Sequence, residues 1–187
     1  MQFIIYKMPK TRKTFYLNDD ESKPVTACGI MLYRFVDNEL EFLVVEGRGM
    51  YEDFGGQTDP TDKDLYHTAA RETYEESNKL IKKSSLKKRL KKADYVYNAR
   101  SKYVIFIMKA NKDEKKLEAK DFGDRELHDD IPRKVRWLNS DTMLNADIIK
   151  HKLNFRLKMK SFFDKVKEIK NDKKLDKSIL SDSNKDD

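Results

Sequence analysis

Glu72, Glu75 and Glu76 fall within five positions, directly after Arg71 and behind the run Gly55-Gly56-Gln57-Thr58-Asp59-Pro60. On a helix, residues three and four apart share one face, so the three carboxylates can converge on a common point. Clustered carboxylates repel one another unless a cation sits among them. Hard divalent ions such as Mg²⁺ favour oxygen ligands and commonly share their shell with substrate phosphates. A Gly-Gly turn upstream lets backbone approach a ligand closely. Together these residues describe phosphate chemistry. Without the turn, the same string would read as an ordinary solvated helix rich in a good helix former.

The segment from Gly56 to about Leu80 resembles the signature of the Nudix hydrolases: a glycine, a glutamate six positions on, then Arg-Glu-apolar-x-Glu-Glu-x-Gly-apolar. Gly56, Arg71, Glu72, Glu75 and Glu76 match by type and order. Asp62 stands where the first glutamate is expected, with one extra residue between it and Arg71. Thr73 replaces the apolar residue, Asn78 replaces the second glycine, and Lys79 precedes the apolar Leu80. Asparagine is the next best residue to glycine at a left-handed helix end, so Asn78 is expected to terminate the helix.

The resemblance implies a fold and a chemistry. The fold is α+β, an α/β/α sandwich with a mixed β-sheet between helices. In the chemistry, Glu72, Glu75 and Glu76 hold Mg²⁺ or Mn²⁺ and one of them activates water, while Arg71 fixes a glutamate rotamer. Gly56 and the backbone near Gln57 shape the turn and touch metal or phosphate. A later loop is expected to lend a further carboxylate, with Glu126 favoured over Asp129 and Asp130. Arg48, Tyr51 and Phe54, just before the glycine turn, offer a cation for phosphate and rings for a base, though packing accounts equally well for Tyr51 and Phe54.

The remaining elements follow from periodicity. Val25 to Phe35 reads as a strand, Asp37-Asn38 as a turn and Glu41 to Val45 as the returning strand. A helix is expected from Lys63 to Asn78, with Leu65, Ala69 and Thr73 inward. The stretch 82–92 reads as a short basic helix or loop, and 94–99, 102–110 and 135–138 as strands. One long helix is expected from Asp147 to about Lys170, striped by Ile148, Phe155, Met159, Phe162, Val166 and Ile169. The division is an N-terminal extension (1–21), one domain (22–170) and a disordered polar tail (171–187).

With 187 residues, 38% hydrophobic and 39% charged, the chain suits one core rather than two. No stretch approaches the roughly 20 apolar residues that span a bilayer. Lys7 interrupts the early patch Phe3-Ile4-Ile5-Tyr6 too soon for a secretion signal. The single cysteine, Cys28, reads as a buried thiol, and an intracellular, cytoplasmic setting is expected. His67, on the helix before the glutamates, reads as a solvated or packed histidine rather than a catalytic one, and His128 and His151 lack metal-ligand partners at useful spacing. No Ser-His-Asp set, zinc-type Cys/His cluster, Walker loop or dinucleotide fingerprint is present.

The net charge of +7 is uneven. Residues 79–92 carry eight basic groups and no acid, and 133–170 carry eleven basic groups against four acids. Such stretches attract polyanions, which makes RNA a candidate partner. The expected function is therefore metal-dependent cleavage of a pyrophosphate bond in a nucleoside diphosphate linked to another group, with the 5′ cap of mRNA as a candidate (decapping). Free nucleotides, dinucleoside polyphosphates, nucleotide sugars and inositol pyrophosphates are alternative substrates. A catalytically silent RNA- or nucleotide-binding module is the alternative class.

Overall fold

The structure, a computed structural model, describes residues 11–182, with side chains to 172. The apolar patch expected at 3–6 lies outside the described residues. In chain order the elements are β1 (Phe15–Tyr16), β2 (Pro24–Val25), β3 (Ala27–Val36), β4 (Glu39–Gly47), β5 (Met50–Glu52), β6 (Phe54–Gln57), α1 (Leu65–Glu76), α2 (Lys83–Leu90), β7 (Asp94–Asn98) and β8 (Tyr103–Lys109). After two single-turn helices at 114–116 and 119–122 come β9 (Arg125–Glu126), β10 (Ile131–Pro132), β11 (Lys134–Asn139), α3 (Ser140–Met143), α4 (Ala146–His151) and α5 (Lys160–Asp182).

The main sheet runs β11-β4-β3-β8-β7, with β5 added to β4 and β6 to β3. Only the β3–β8 pairing is parallel, so the sheet is mixed. β3 divides its neighbours: its first residues pair with β6 (Cys28 with Gly56, Gly29 with Gly55) and its last with β4. Asp37 and Asn38 both take positive φ, 46° and 73°, the two-residue turn whose twist matches a hairpin.

Side chains alternate between two cores, which explains the near-continuous apolar runs. Cys28, Ile30, Leu32, Leu43, Val104 and Phe106 face one layer with Leu65, Ala69 and Ala70 of α1 and Leu86 and Leu90 of α2. Met31, Phe42, Val44, Ile105 and Ile107 face the other with Leu153, Leu157 and Phe162, Val166 and Ile169 of α5. The molecule is thus the expected α+β sandwich, a mixed sheet between helices. Cys28 is fully buried, its Sγ 3.2 Å from the Leu65 carbonyl. Among the described residues no helix is long and apolar enough to cross a membrane.

One expectation fails. The helix read from 147 to 170 is two helices separated by eight residues. The chain at 152–154 pairs with β5 instead: Tyr51 N–H donates to the Lys152 carbonyl (2.6 Å) and Asn154 N–H to the Tyr51 carbonyl (2.9 Å). Asn145 and Asn154 each accept from the N–H two residues on, at 2.9 and 3.0 Å, and so start new turns. Periodicity sees spacing but not a competing backbone partner. Phe155, placed on the inward stripe by its spacing, is 61% exposed. α5 continues to Asp182, past the boundary at 171, and 183–187 lie outside the described residues.

Phe162→Ala should cost roughly 3–5 kcal/mol in urea unfolding, as a fully buried ring lost from a core. Phe155→Ala should change stability by less than about 0.5 kcal/mol. Equal losses would restore the single continuous helix.

Candidate active site

α1 begins where the Asp64 carboxylate accepts from His67 N–H at 2.7 Å, an N-cap. It ends in two crossing backbone bonds, Lys79 N–H to the Tyr74 carbonyl (2.8 Å) and Asn78 N–H to the Glu75 carbonyl (3.0 Å). That closure requires a left-handed residue, and Asn78 supplies it with φ 51°. Thr73, in the place of an apolar residue, is fully buried, and its hydroxyl is satisfied by the Ala69 carbonyl at 2.8 Å.

The inward face of α1 is small, with Ala69 and Ala70 fully buried. Gly55 and Gly56, expected as a turn, instead lie in strand β6, paired with Gly29 and Cys28 because β3 offers them backbone partners. Gly55 N–H donates to Glu76 Oε2 at 2.8 Å. A Cβ on Gly56 would lie 2.5 Å from Glu72 Oε2, and one on Gly55 would lie 2.6 Å from the Gly29 Cα. No side chain fits at either position unless a carboxylate or the sheet moves. The glycines are therefore a requirement of space.

Arg71 is the hub. Its Nε and Nη2 grip both oxygens of Asp62 at 3.0 and 2.9 Å, and Nη2 also donates to the Gln57 carbonyl at 2.8 Å. Nη1 reaches Glu72 Oε1 at 2.7 Å and Glu75 Oε2 at 3.2 Å. Asp62 thus meets Arg71 despite its shorter side chain and the extra residue, because the chain folds back at 59–62: Asp62 N–H donates to the Asp59 carbonyl (3.0 Å), and Asp59 N–H to Asp62 Oδ2 (2.8 Å). Thr68 Oγ1 donates to Asp62 at 2.8 Å, and His67 Nδ1 lies 3.0 Å away. Burial pushes the Asp62 carboxyl up, but the bonds from Arg71, Asp59 and Thr68 prevail and hold it at about 2.

The glutamates are shifted the other way. Burial raises Glu72 to about 7, with Arg71 opposing and Glu75 and Asp62 adding to the rise. Burial also raises Glu76 well above the carboxylate range, reinforced by Glu72, Asp53 and Glu126. Glu126, on β9, is raised by burial and by Asp129, and its charge reaches both Glu75 and Glu76. Such a group must keep its protons or take up positive charge. Glu72, Glu75, Glu76 and Glu126 offer the oxygen donors that suit a hard divalent ion such as Mg²⁺ or Mn²⁺, but among the described residues they do not form a group with all ligand atoms within 4.8 Å of one another. Glu126 forms one with Asp129 and with His128, which was expected to lack ligand partners; both are exposed on the hairpin.

Other candidates part company with the site. Phe54 has no exposed surface and packs on Phe122 at 6.3 Å between ring centres, so it cannot stack a base. Tyr51 holds the 152–154 crossing and packs in the core on the α5 side. Arg48 is exposed at the β4–β5 hairpin tip with φ 52°. Gln57 is exposed, and its carbonyl serves Arg71.

Sequence reading missed a buried group beneath the glycine strand. Tyr103 Oη donates to Asp53 Oδ2 at 2.7 Å, and the Arg156 guanidinium covers the Tyr103 ring at 4.6 Å while pairing with Glu52 at 2.8 Å. Burial raises the Asp53 carboxyl against the pull of Arg156. Asp53 could have been suspected as an acid inside an aromatic strand run; Arg156 was hidden in the helix that does not form. Arg133 was missed as well: 5% exposed, it donates to the Glu76 carbonyl.

The two basic stretches differ. On α2, Lys82 and Lys83 lie 6.0 and 4.9 Å over the Tyr74 ring, and Lys87, Lys88 and Lys91 line a cleft with Lys63 and His67 beside α1. In 133–170 many of the cations are engaged within the fold: Arg136 with Glu46, Arg156 with Glu52, Lys160 with Asp164, Lys165 with Glu168 and Lys170 with Asp141. That stretch is not a free basic face.

No protein-family model matches the chain, and no curated protein matches it. Among solved structures it is similar to an Ap4A hydrolase of C. elegans in a binary complex, with 20% identity over 78% of this chain and 94% of that one, TM-score 0.45. It is also similar to NrtR of Shewanella oneidensis complexed with a 27mer DNA, with 17% identity over 76% of this chain and 60% of that one, TM-score 0.42. Likeness at this level says nothing about activity.

Asp62 contributes stability that is full above the ordinary aspartate range and lost as pH falls toward 2. Asp62→Asn should therefore destabilise most at pH 5, and the gap to the native chain should narrow by roughly 1.5 kcal/mol by pH 2.5 in urea titrations. A gap independent of pH would mean that Asp62 carries no such charge.

Proposed function

We propose that this chain hydrolyses the pyrophosphate linkage of a nucleoside diphosphate attached to a further group, by Nudix-type chemistry. The observation that carries this reading is the approach of Glu72 and Glu76 to the glycines of β6 while Arg71 ties Glu72 and Glu75 to Asp62. Glu72, Glu75, Glu76 and Glu126 would hold the divalent cations, with the Gly56 backbone alongside. Bound cations would neutralise the phosphoryl oxygens and polarise the bond to be broken.

The chain's own residues divide the remaining work. One of the three α1 glutamates takes the proton of the attacking water. Arg71 keeps Glu72 and Glu75 in one orientation, because its guanidinium is already locked on Asp62 from the other side. The missing Cβ atoms of Gly55 and Gly56 let the Glu72 carboxylate and the α1 helix come close against strand β6. Gln57, exposed at the end of β6 with its carbonyl on Arg71, is the side chain we propose for contact with substrate.

Capped RNA is the finer reading, and the α2 lysines support it. Lys87, Lys88 and Lys91 are exposed and line a cleft with Lys63, Asp64, Tyr66 and His67 at the start of the acidic helix, while Lys82 and Lys83 lie over Tyr74 nearer its end. A transcript cut at its cap could lay its first phosphates along that cleft. A free dinucleotide has less need of it, whereas an inositol pyrophosphate would suit such lysines as well.

Glu76→Gln should lower turnover of a preferred diphosphate by about 100-fold or more while leaving the fold intact by circular dichroism. Unchanged turnover would discard the assignment, and retained nucleotide binding without turnover in the native chain would favour a silent module. For the RNA reading, cleavage of cap-labelled transcripts should fall steeply between 50 and 200 mM salt, roughly as a power law in salt concentration. Replacing Lys87, Lys88 and Lys91 together by glutamine should flatten that slope. A flat response in the native chain, with faster cleavage of free dinucleotides, would remove RNA as substrate.

A further inference from the structure

Asn78 does more than end its helix. Its side-chain Nδ2 donates to the Phe122 carbonyl at 2.8 Å and to the Arg125 carbonyl at 2.9 Å, and its Oδ1 accepts from Leu127 N–H at 2.9 Å. The partners are backbone carbonyls on one end of the amide and an N–H on the other, so the amide orientation is determined by them. These three bonds bracket Glu126. A glycine at the same position would satisfy the left-handed backbone, φ 51°, and make none of them.

A second strap lies on the other side of the same loop. Arg133 N–H donates to the Asp124 carbonyl at 2.9 Å, and its Nη2 donates to the Glu76 carbonyl in the last turn of α1. Asn78 and Arg133 therefore join the end of the acidic helix to both stems of the short β9–β10 hairpin. Between the straps, Leu127 is 73% exposed and Ile131 38% exposed. The hairpin buries little of its own apolar surface, so its position depends on these polar bonds.

We propose that Asn78 is a positioning residue for the cation site: it fixes the Glu126 carboxylate against Glu75 and Glu76 by clamping the backbone on either side of it. The inference rests on the reading of those carboxylates as cation ligands. It adds that the fourth acid is not placed by its own strand pairing, which consists of the two register pairs Ile131–Glu126 and Pro132–Arg125, but by a side chain from the helix that carries the other three. A partner that orients a ligand typically accounts for 10–100-fold in metal affinity.

The test compares Asn78→Gly, which keeps the backbone and removes the amide, with Asn78→Asp, which keeps the acceptor and removes both donors. Full-length protein would be titrated with Mn²⁺ by calorimetry, and amide exchange at Leu127 followed by NMR. Expected are a Mn²⁺ affinity about 10-fold weaker in both variants and faster Leu127 exchange in Asn78→Gly. The thermal midpoint of metal-free Asn78→Gly should fall only slightly, because glycine keeps the left-handed backbone and the amide bonds only the backbone of Phe122, Arg125 and Leu127. Native Mn²⁺ affinity or native Leu127 exchange in Asn78→Gly would overturn the proposal. Glu76→Gln runs alongside. If it loses Mn²⁺ binding while Asn78→Gly keeps it, the clamp is wrong and the cation site stands; if neither variant alters the titration, the cation reading fails and takes the clamp with it.

Discussion

Carboxylates placed side by side on one helix face repel one another, and the pairing of Glu72 with Glu75 here depends on Arg71. Its guanidinium meets Asp62 on one side and Glu72 and Glu75 on the other. Because Asp62 is fully buried and held ionised, it supplies a fixed negative anchor that keeps the arginine in place. The arginine can then orient two glutamates without neutralising the group as a whole. What is left is a surplus of acid in a partly desolvated corner, which is the condition for taking up a hard cation.

The sheet exists in the form that this corner needs. β3 gives one edge of its first half to the glycine strand β6 and of its second half to β4, while β8 runs parallel along its other edge, so Gly55 and Gly56 lie in the sheet under α1. The small inward face of α1 lets the helix approach those glycines, and the absence of Cβ atoms there leaves room for Glu72. Below, Tyr103, Asp53 and Arg156 fill the space under them with a buried polar group. Arg156 arrives from the chain beyond α4, so the α5-side layer also supports the acidic centre.

The departures from the family signature are accommodated physically, each by a different means. Aspartate in place of glutamate is offset by a backbone that doubles back at 59–62. Threonine in place of an apolar residue satisfies its hydroxyl within the helix. Asparagine in place of glycine reproduces the left-handed end and adds an amide that reaches the Glu126 loop. The last is a gain of contact rather than a tolerated substitution, since its three partners all belong to backbone that a glycine would leave unheld.

The amino-acid sequence by itself determined the elements whose signal is local. The 3.6-residue stripe of α1, the hairpin turn at Asp37-Asn38, the doubly buried strands and the left-handed end at Asn78 were all legible, because each rests on spacing or on one residue's backbone preference. So was the clustering of Glu72, Glu75 and Glu76. Tertiary structure alone decided the rest. Phe54 went to the core because β6 faces Phe122. The expected long helix split because β5 offered the backbone of 152–154 a better partner. In the basic stretch 133–170, Arg136 and Arg156 were taken up by Glu46 and Glu52, acids far away in the chain. Asp53, Tyr103, Arg133 and Arg156 joined the surroundings of the site from four separate segments. Long-range backbone pairing and ion pairing depend on which segments meet, and no periodicity within one segment records that.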